Sequence, residues 1–559
     1  MPKPKQMLPA ALRALGLTDR RGITVARAAT AVAVTAATLA VAALNEHDPY
    51  DIHAGLFAQV VAGLVPLLLG MLAGLAVLRP RAGFIAALVL TPVIDVAQVS
   101  WIMGPLQVIS QTIVLVALGV GLLLRDRSPE AATSGATSPV DPSGRAGRRY
   151  RVSLTSAAAG AVVALLALAA LSTVLSPKVD MSAAVLLHGI LEPMGMAAVL
   201  LALRPTRRDL ILVAVLLGVS VAIGGLLNMI QTLAVVHSLS VLQAQRLLFS
   251  RITYFNVGLF GEMLAMATPL LIASIAGRRL LNLRRWVVLL LVIVTLTALA
   301  SLFLTFSKSA YLATAGGSMV LILLVVRGWR RRAEIVLVAG LLSATVIPWP
   351  AFFLQVSPPL ANAYRSAVVS LVGESRYDSW NPSTLSGRGS LLERFYATRA
   401  AVEMAIDHPV LGIGLDQFLA QYVGHYKPPE AKLDLDSAHS MWPEIAAELG
   451  IPALLLAWFI YGCALLAAWR VYRSPPDDLT RLLAAALLAA MTAWLVVGTA
   501  FAGDMYRPWR NMSSDYVMAF VLVAAAFALY RMTRRLGPGA AVERARPRRP
   551  EVTRGEPDV

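Results

Sequence analysis

The sequence predicts an all-α, polytopic membrane protein with about 14 transmembrane helices and one large extracytoplasmic loop containing short helices. Hydrophobic residues make up 57% of the 559 residues and charged residues only 14%, unlike a soluble globular protein. Apolar runs of roughly 20 residues, each long enough to cross about 30 Å of hydrocarbon, recur along the chain. Clusters of Arg and Lys fall in alternate connections between these runs, the pattern of inside loops.

Fourteen runs qualify as spans, near residues 24–44, 54–78, 82–102, 104–124, 152–175, 181–203, 209–235, 254–277, 286–306, 309–326, 334–356, 443–469, 480–502 and 514–532. The third and fourth are separated only by Met103–Gly104–Pro105. This pattern divides the chain into four parts. Residues 1–356 contain helices 1–11 and a Ser/Gly/Pro-rich cytoplasmic linker at 125–151, and residues 357–441 form an extracytoplasmic loop. Residues 442–532 contain helices 12–14, and residues 533–559 form a disordered cytoplasmic tail.

The formal net charge of +17 does not indicate a nucleic-acid partner, because the basic clusters follow the topology. Their alternation places both termini in the cytoplasm, with anionic membrane lipids as the partner of the excess charge. The only cysteine, Cys463, lies inside a span, which excludes disulfides and thiolate metal sites.

The long loop contains a helix signature. Ser390 and Glu393 fit a capping box, and Leu391, Phe395, Val402 and Ile406 follow at helical spacing. The helix should end before Pro409.

The turn at 387–390 should therefore lie at a helix N-terminus, where backbone N–H groups favour an anion. Arg388 lies in this turn and Arg394 one turn further on. Both arginines are candidates for binding an anionic substrate; the alternative is that they solvate a loop helix.

His439 opens the next hydrophobic stretch and is the best candidate in the loop for a general base acting on a hydroxyl. An interfacial His bonded to a loop carbonyl is the alternative. Glu448 follows nine residues later and could orient a neighbouring group. Lys308 lies at an outside helix boundary, where a charge either serves a site or marks the interface by snorkelling.

Other polar residues are weaker candidates. The Asp434-Leu435-Asp436 pair is more typical of a loop turn than of a metal site. Carboxylates within predicted spans mark a substrate or ion path, or pair within the bundle: Asp95, Glu192 and Glu262. Four histidines show no ligand spacing and are interpreted as structural: His188, His237, His408 and His425.

Three segments in the right order resemble the O-antigen ligase and O-antigen polymerase family of inner-membrane enzymes. The family pattern of an Arg, a helix and "hPl-G-G" is similar to Arg394 through 408–414, and "HN-x-x-L-x-x-x-x-E-x-G-i-p" is similar to 439–452 with the His-to-Glu spacing kept. The earlier "lT-x-S-R-g-a" is similar to 304–310. The similarity covers roughly residues 251–453.

The chain departs from the family pattern at three places. The Asn after the family His is Ser440, and the Arg of the earlier motif is Lys308, which keeps the charge but loses bidentate phosphate geometry. The usual "G-T-F-x-N-P-N" segment is degraded at 251–258. These departures affect substrate identity more than reaction type, and they leave open whether Arg388 or Arg394 is the essential loop arginine.

The resemblance implies an enzyme of the bacterial cytoplasmic membrane that transfers a glycan from a polyprenyl diphosphate donor to an acceptor hydroxyl, with inversion and with neither metal nor other cofactor. Lys308, Arg388 and Arg394 would hold the diphosphate, His439 would take the acceptor proton, and Glu448 would orient groups around it. A lipid A core, a growing glycan or a protein hydroxyl all remain possible acceptors. The rival interpretation is a polysaccharide or small-solute transporter or flippase.

Overall fold

The computed structural model describes most of the hydrophobic core and the second half of the loop. The described residues are 28–33, 35–36, 68–96, 100–103, 106–123, 153–236, 257–304, 308–326, 328, 330–331, 333–334, 387–435, 437–499 and 514–535. Nearly all of them are helical, which confirms the all-α class. The predicted linker at 125–151, the first part of the loop at 357–386 and the tail beyond 535 lie outside the described residues.

The helices that precede the loop follow the predicted spans closely. They are α1 (Leu68–Leu78), α2 (Pro80–Val96), α3 (Ser110–Leu123), α4 (Leu154–Val174), α5 (Val179–Val185), α6 (Glu192–Ala202), α7 (Arg207–Val236), α8 (Val257–Ala276), α9 (Arg285–Leu304) and α10 (Lys308–Val325). A π-helical turn at Leu186–Leu191 joins α5 to α6, so that the two form one apolar rod, Val179–Ala202.

The loop and the chain after it supply six more helices. They are α11 (Gly387–Asp407), α12 (Phe418–Gln421), α13 (Met441–Leu449), α14 (Ile451–Arg473), α15 (Asp478–Thr499) and α16 (Ser514–Arg535), with a second π-helical turn at Tyr422–Tyr426 after α12.

Seven helical segments of the described residues are long and apolar enough to cross a membrane, which makes the chain a multi-pass membrane protein. They match seven predicted spans, and five shorter apolar helices match five more. The other two, near 24–44 and 334–356, lie largely outside the described residues, so the count of fourteen stays a prediction.

The predicted helical pair at 82–102 and 104–124 is wrong where the two runs meet. Helix α2 ends at Val96, and an antiparallel hairpin of β1 (Ser100–Met103) and β2 (Leu106–Ile109) precedes α3. Met103 pairs with Leu106, and Gly104 and Pro105, which lie between them in sequence, are outside the described residues. Pro cannot donate a helical hydrogen bond and disfavours helix in the residue before it, which opposes a helix that runs on through this point.

The predicted span at 443–469 is also interrupted. Gly450 has φ +86° and ends α13, and α14 starts at Ile451 with Pro452 in its first turn. The break separates a short helix of the loop, α13, from a transmembrane helix of 23 residues, α14.

The core forms where the last three long helices pack on earlier ones. Helix α15 lies against α8 and α10, α14 against α4, and α16 against α6, while α7 packs on α2, α8 and α9. In the loop, α11 packs on α13, and α13 packs on α14. The loop helices are therefore joined directly to the membrane-spanning bundle.

Candidate functional site

Helix α11 is the platform of the candidate site. One face carries small or unbranched side chains, which bury a compact cluster of Ala397, Ala400, Ala401, Met404, Ile413, Phe418, Tyr422, Ala438 and Ala447. Because alanine adds little width, the loop after the helix and helix α13 can approach the α11 backbone closely. The cluster brings together parts of the loop that are about 40 residues apart in sequence.

Two side chains on α11 hold the loop that leads to His439. The buried carboxylate of Glu393 accepts hydrogen bonds from the backbone N–H groups of Lys432 and Leu433, at 2.9 to 3.1 Å. Five residues along the helix, the hydroxyl of Thr398 donates to the carbonyl oxygen of Ala438 at 2.8 Å. The arginine-bearing helix thus fixes both ends of the segment immediately before His439.

His439 has an unusual backbone conformation. Its φ is +51°, in the left-handed region that few residues other than glycine adopt. Such strain costs on the order of 1–3 kcal/mol and persists only where the surrounding structure enforces it, which is frequent at functional sites. Here the buried Ala438 on one side and the extended Ser440, which precedes α13, on the other enforce it. The residue is half-buried, so part of it is accessible from outside the protein.

The two glycine-containing motifs after α11 and α13 interlock. The N–H groups of Ile413 and Gly414 donate to the carbonyl oxygens of Ala447 and Glu448 at 2.8 and 3.2 Å, and that of Ile451 donates to the Pro409 carbonyl at 2.8 Å. A Cβ on Gly412 would lie 2.3 Å from the Glu448 carbonyl carbon, and one on Gly450 would lie 2.2 Å from the Val410 oxygen. Only glycine fits at either position.

Glu448 lies at the far end of α13 from His439, roughly 13 Å along a helix of this length. It is buried, and its Oε1 accepts the backbone N–H of Phe418 at 3.3 Å, at the start of α12. The carboxylate therefore holds the 412–418 loop in place. Whether it also orients groups around His439, as the sequence suggested, stays a prediction.

Serines from the first half of the chain reach the same loop. The hydroxyl of Ser172, on α4, donates to the carbonyl oxygen of Glu448 at 3.1 Å. The hydroxyl of Ser182, on α5, lies 2.6 Å from the Leu415 carbonyl and 2.7 Å from the hydroxyl of Ser176. All three serines are buried. The early spans, whose sequence matched the family only in being hydrophobic, thus support the site directly.

The electrostatics of the loop centre on Tyr422. Burial raises the pKa of its phenol, and the carboxylates of Glu393 and Asp434 raise it further. The ring stacks on Phe418 with centroids 5.6 Å apart. Asp434 forms an ion pair with Lys427, so its carboxylate already has a cationic partner.

The structure places only some of the predicted diphosphate ligands. Arg394 lies half-buried on α11, next to Glu393. Arg388 is in the first turn of the same helix and Lys308 is the first residue of α10, but the side chains of both, like Asp436, lie outside the described residues. The helix begins at Gly387 rather than at Ser390, so the capping box is wrong and Glu393 bonds the distant loop instead.

The carboxylates predicted within spans have different surroundings. Glu192 is buried, and its Oε1 accepts from the Thr112 hydroxyl and lies 3.1 Å from Nδ1 of His188. Glu262 is buried on α8. Asp95 lies in α2, and its side chain is outside the described residues. Of the other histidines, His237 is outside the described residues, and His408 and His425 are exposed on the loop.

Sequence reasoning missed Thr398, Ser172 and Ser182. A threonine inside a loop helix and serines within apolar spans carry no motif, and each gains its role from a partner far along the chain. The one usable signal was the presence of Ser172 and Ser182 at the ends of otherwise apolar runs, where unbonded hydroxyls are costly.

Comparison with known families agrees with this geometry. The family model described as O-antigen ligase matches residues 293–458, from within α9 through the loop to the first turns of α14. This region of the chain is therefore similar to O-antigen ligases, which confirms the resemblance seen in the sequence. The matched region contains α11, His439 and both interlocked glycine motifs. A search of curated proteins finds no match.

The matched region does not include all of the helices that support the site. Helices α4 and α5, which donate the serine hydrogen bonds, precede residue 293, and α15, which packs on α13, follows residue 458.

Proposed function

We propose that this protein transfers a glycan from a polyprenyl diphosphate donor to an acceptor hydroxyl at the membrane surface. The observation that carries the proposal is the hydrogen bond from Thr398 to the Ala438 carbonyl. It ties the residue before a strained, half-buried histidine to the helix that bears Arg388 and Arg394. A base beside a helix that bears two candidate phosphate-binding arginines, within the region that matches the O-antigen ligase family, suits attack by a hydroxyl on a carbon that carries an anionic leaving group.

The proposed step forms one bond and breaks one bond at the anomeric carbon. The acceptor oxygen forms a bond to the anomeric carbon as the bond from that carbon to the phosphate oxygen breaks, on the opposite face, which inverts the configuration. His439 takes the hydroxyl proton, and the diphosphate leaves with the bonding electrons. Arg388, Arg394 and Lys308 stabilise its charge, and Glu448 holds the neighbouring loop through Phe418. No metal is required in this scheme.

The test uses the full-length protein in nanodiscs with a polyprenyl-diphosphate-linked oligosaccharide and a mixture of acceptors. Loss of a general base lowers rates by about 10²–10⁴-fold, so His439→Ala should reduce release of polyprenyl diphosphate by that factor. His425→Ala, at an exposed position of the same loop, should leave it unchanged. Wild-type release should also survive EDTA. Retention of more than a small fraction of activity by His439→Ala would exclude the base assignment.

The second candidate is a carrier that moves a lipid-linked or small solute. It is favoured by one observation, the buried His188–Glu192 pair within the Val179–Ala202 rod, since ionisable groups inside a membrane mark transport paths or internal pairs. In proteoliposomes a carrier would translocate the donor intact, would depend on Glu192 and would be indifferent to His439→Ala. Release of diphosphate that requires His439 would reject the carrier.

A further inference from the structure

The apolar residues that first identified α11 do not face the protein core. Phe395, Val402 and Ile406 are 54%, 46% and 66% exposed, and at 100° per residue they fall within about 40° of one another on the helix surface. The buried residues of α11, among them Ala397 and Met404, lie on the opposite side. Helix α11 therefore has two apolar faces, of which the residues that the structure describes cover only one. The exposed set is called the outer stripe below.

The outer stripe continues onto the surface of a transmembrane helix. The chain leaves α11 at Asp407, and the Pro409 carbonyl accepts the N–H of Ile451, the first residue of α14, at 2.8 Å. Val410 is 63% exposed beside it, after the exposed Asp407 and His408, and Ile451 and Leu455 of α14 are 39% and 55% exposed.

The position of α14 relates the outer stripe to the membrane. At 1.5 Å per residue, 23 residues span about 35 Å, slightly more than the hydrocarbon core. Arg470 and Arg473 occupy the last turn of α14, so Ile451 lies at the opposite boundary. The outer stripe begins at that boundary and extends roughly 16 Å along α11.

The flanks of the outer stripe carry charges that suit the headgroup region. Arg399 and Glu403 form an ion pair at 2.8 Å along one side and are both substantially exposed, and Arg394 lies toward the other side of the helix. An apolar stripe between charged flanks, joined to a transmembrane helix, is the pattern of a helix lying in a bilayer interface.

We propose that α11 lies on the membrane, with Phe395, Val402 and Ile406 inserted into the leaflet at the Ile451 end of α14. The occupant of the outer stripe is bulk lipid. In this position Arg394 and Arg399 lie at the depth of lipid phosphates, which is also the depth of the diphosphate of any membrane-anchored donor. The surface does not depend on the proposed reaction, and it can be tested without turnover.

Spin labelling tests the placement. Cys463 is the only cysteine in the sequence and is buried, so Cys463→Ala provides a background for single labels on the full-length protein in phosphatidylglycerol-containing nanodiscs. Nitroxides at Phe395→Cys, Val402→Cys and Ile406→Cys are compared with Leu455→Cys as the lipid reference and Glu403→Cys as the polar reference. Collision rates with oxygen report lipid, and those with a water-soluble nickel chelate report water.

The expected result is that the three stripe labels follow the lipid reference. Their collision rate with the nickel chelate should be several-fold lower than that of the label at Glu403, and their collision rate with oxygen higher. Rates equal to those at Glu403 would mean that the stripe faces water and would overturn the proposal.

Two other results would also overturn it. Protection from both reagents would mean that protein covers the stripe, whether another segment of this chain or a second copy. Lipid-like rates that appear only after adding polyprenyl diphosphate would assign the stripe to the tail of a carrier lipid instead of the bilayer.

Discussion

Gly450→Ala should separate the two interlocked motif segments and destabilise the loop. Gly450 has φ +86° and ψ 166°, a region that is almost restricted to glycine, and strain of this kind costs about 1–3 kcal/mol. The new methyl group would lie 2.2 Å from the Val410 carbonyl oxygen and 2.5 Å from its carbonyl carbon. Both distances are shorter than an ordinary van der Waals contact by about 1 Å. The chain around Val410 must therefore move.

That movement breaks backbone hydrogen bonds. The N–H of the exposed Ile451 loses the Pro409 carbonyl, and the N–H of the buried Ile413 moves away from the Ala447 carbonyl; a buried group left unbonded costs about 1–3 kcal/mol. With the backbone strain of about 1–3 kcal/mol, the total is on the order of 2–6 kcal/mol, against the 5–15 kcal/mol that typically stabilises a folded domain. We expect a loop that is opened locally or a protein that does not accumulate.

Gly462→Ala is the matched control. Gly462 lies within α14, and a Cβ there would meet nothing within 4 Å, so alanine should be neutral or favour the helix by about 0.5–1 kcal/mol. The assay is thermal unfolding of the purified full-length protein in one detergent, followed by size-exclusion chromatography, together with limited proteolysis of the loop. A Gly450→Ala protein with the melting temperature and protease resistance of the Gly462→Ala protein would refute the reasoning.

Thr398→Val keeps the side-chain volume nearly constant and removes the hydroxyl that bonds the Ala438 carbonyl. Because such a bond is worth about 1 kcal/mol, the transfer rate should fall about fivefold with unchanged KM, and Thr398→Ser should restore it. Thr297→Val, which removes a hydroxyl bonded only within its own exposed helix face, should have no such effect, and equal rates in both variants would contradict the role of Thr398. At Asp477, burial opposes ionisation, but hydrogen bonds from Thr480 and the charge of Arg207 lower the pKa below its usual 3.8. The stabilisation by the ionised Asp477 carboxylate is therefore complete above the unfolded pKa and is lost as the pH falls through the lower folded pKa. Asp477→Asn can still cap α15, so it should lower stability at pH 7 by at most about 1 kcal/mol, because solvent screens the Asp477–Arg207 pair. The difference in melting temperature from wild type should shrink below about pH 4, and a difference that is constant with pH would show that charge has no part in it.

Hydropathy alone predicted the long helices well, because a span needs only a run of apolar residues of sufficient length. It failed at the boundaries between neighbouring helices. The break at Gly450 was nonetheless readable, since a glycine followed by Pro452 in the first turn of a new helix is a strong boundary signal. It was overlooked because the apolar run continues across the break. The β1–β2 hairpin, by contrast, forms within a sequence as apolar as its helical neighbours.

The candidate site was only partly predictable, because its decisive contacts join residues far apart in sequence. Glu393 fitted a local capping box, but its carboxylate bonds Lys432 and Leu433 instead. The φ of His439 has no sequence signature, since histidine has no intrinsic need of a left-handed conformation. The support that Ser172 gives Glu448 crosses 276 residues, and only a folded chain reveals it.

Helix α11 shows that a periodicity argument can find a helix without telling which of its faces the protein core buries. The spacing of Phe395, Val402 and Ile406 correctly indicated a helix, and in a soluble protein the largest apolar side chains would mark its buried face. Here the alanines of α11 are buried in the protein core, because they allow the backbones of neighbouring segments to approach, and the larger side chains point outward. At a membrane surface the apolar solvent lies outside the protein, so hydrophobicity identifies both faces and only side-chain size separates them. The same inversion leaves Arg394 on the flank between core and lipid, beside Glu393, which bonds the loop leading to His439.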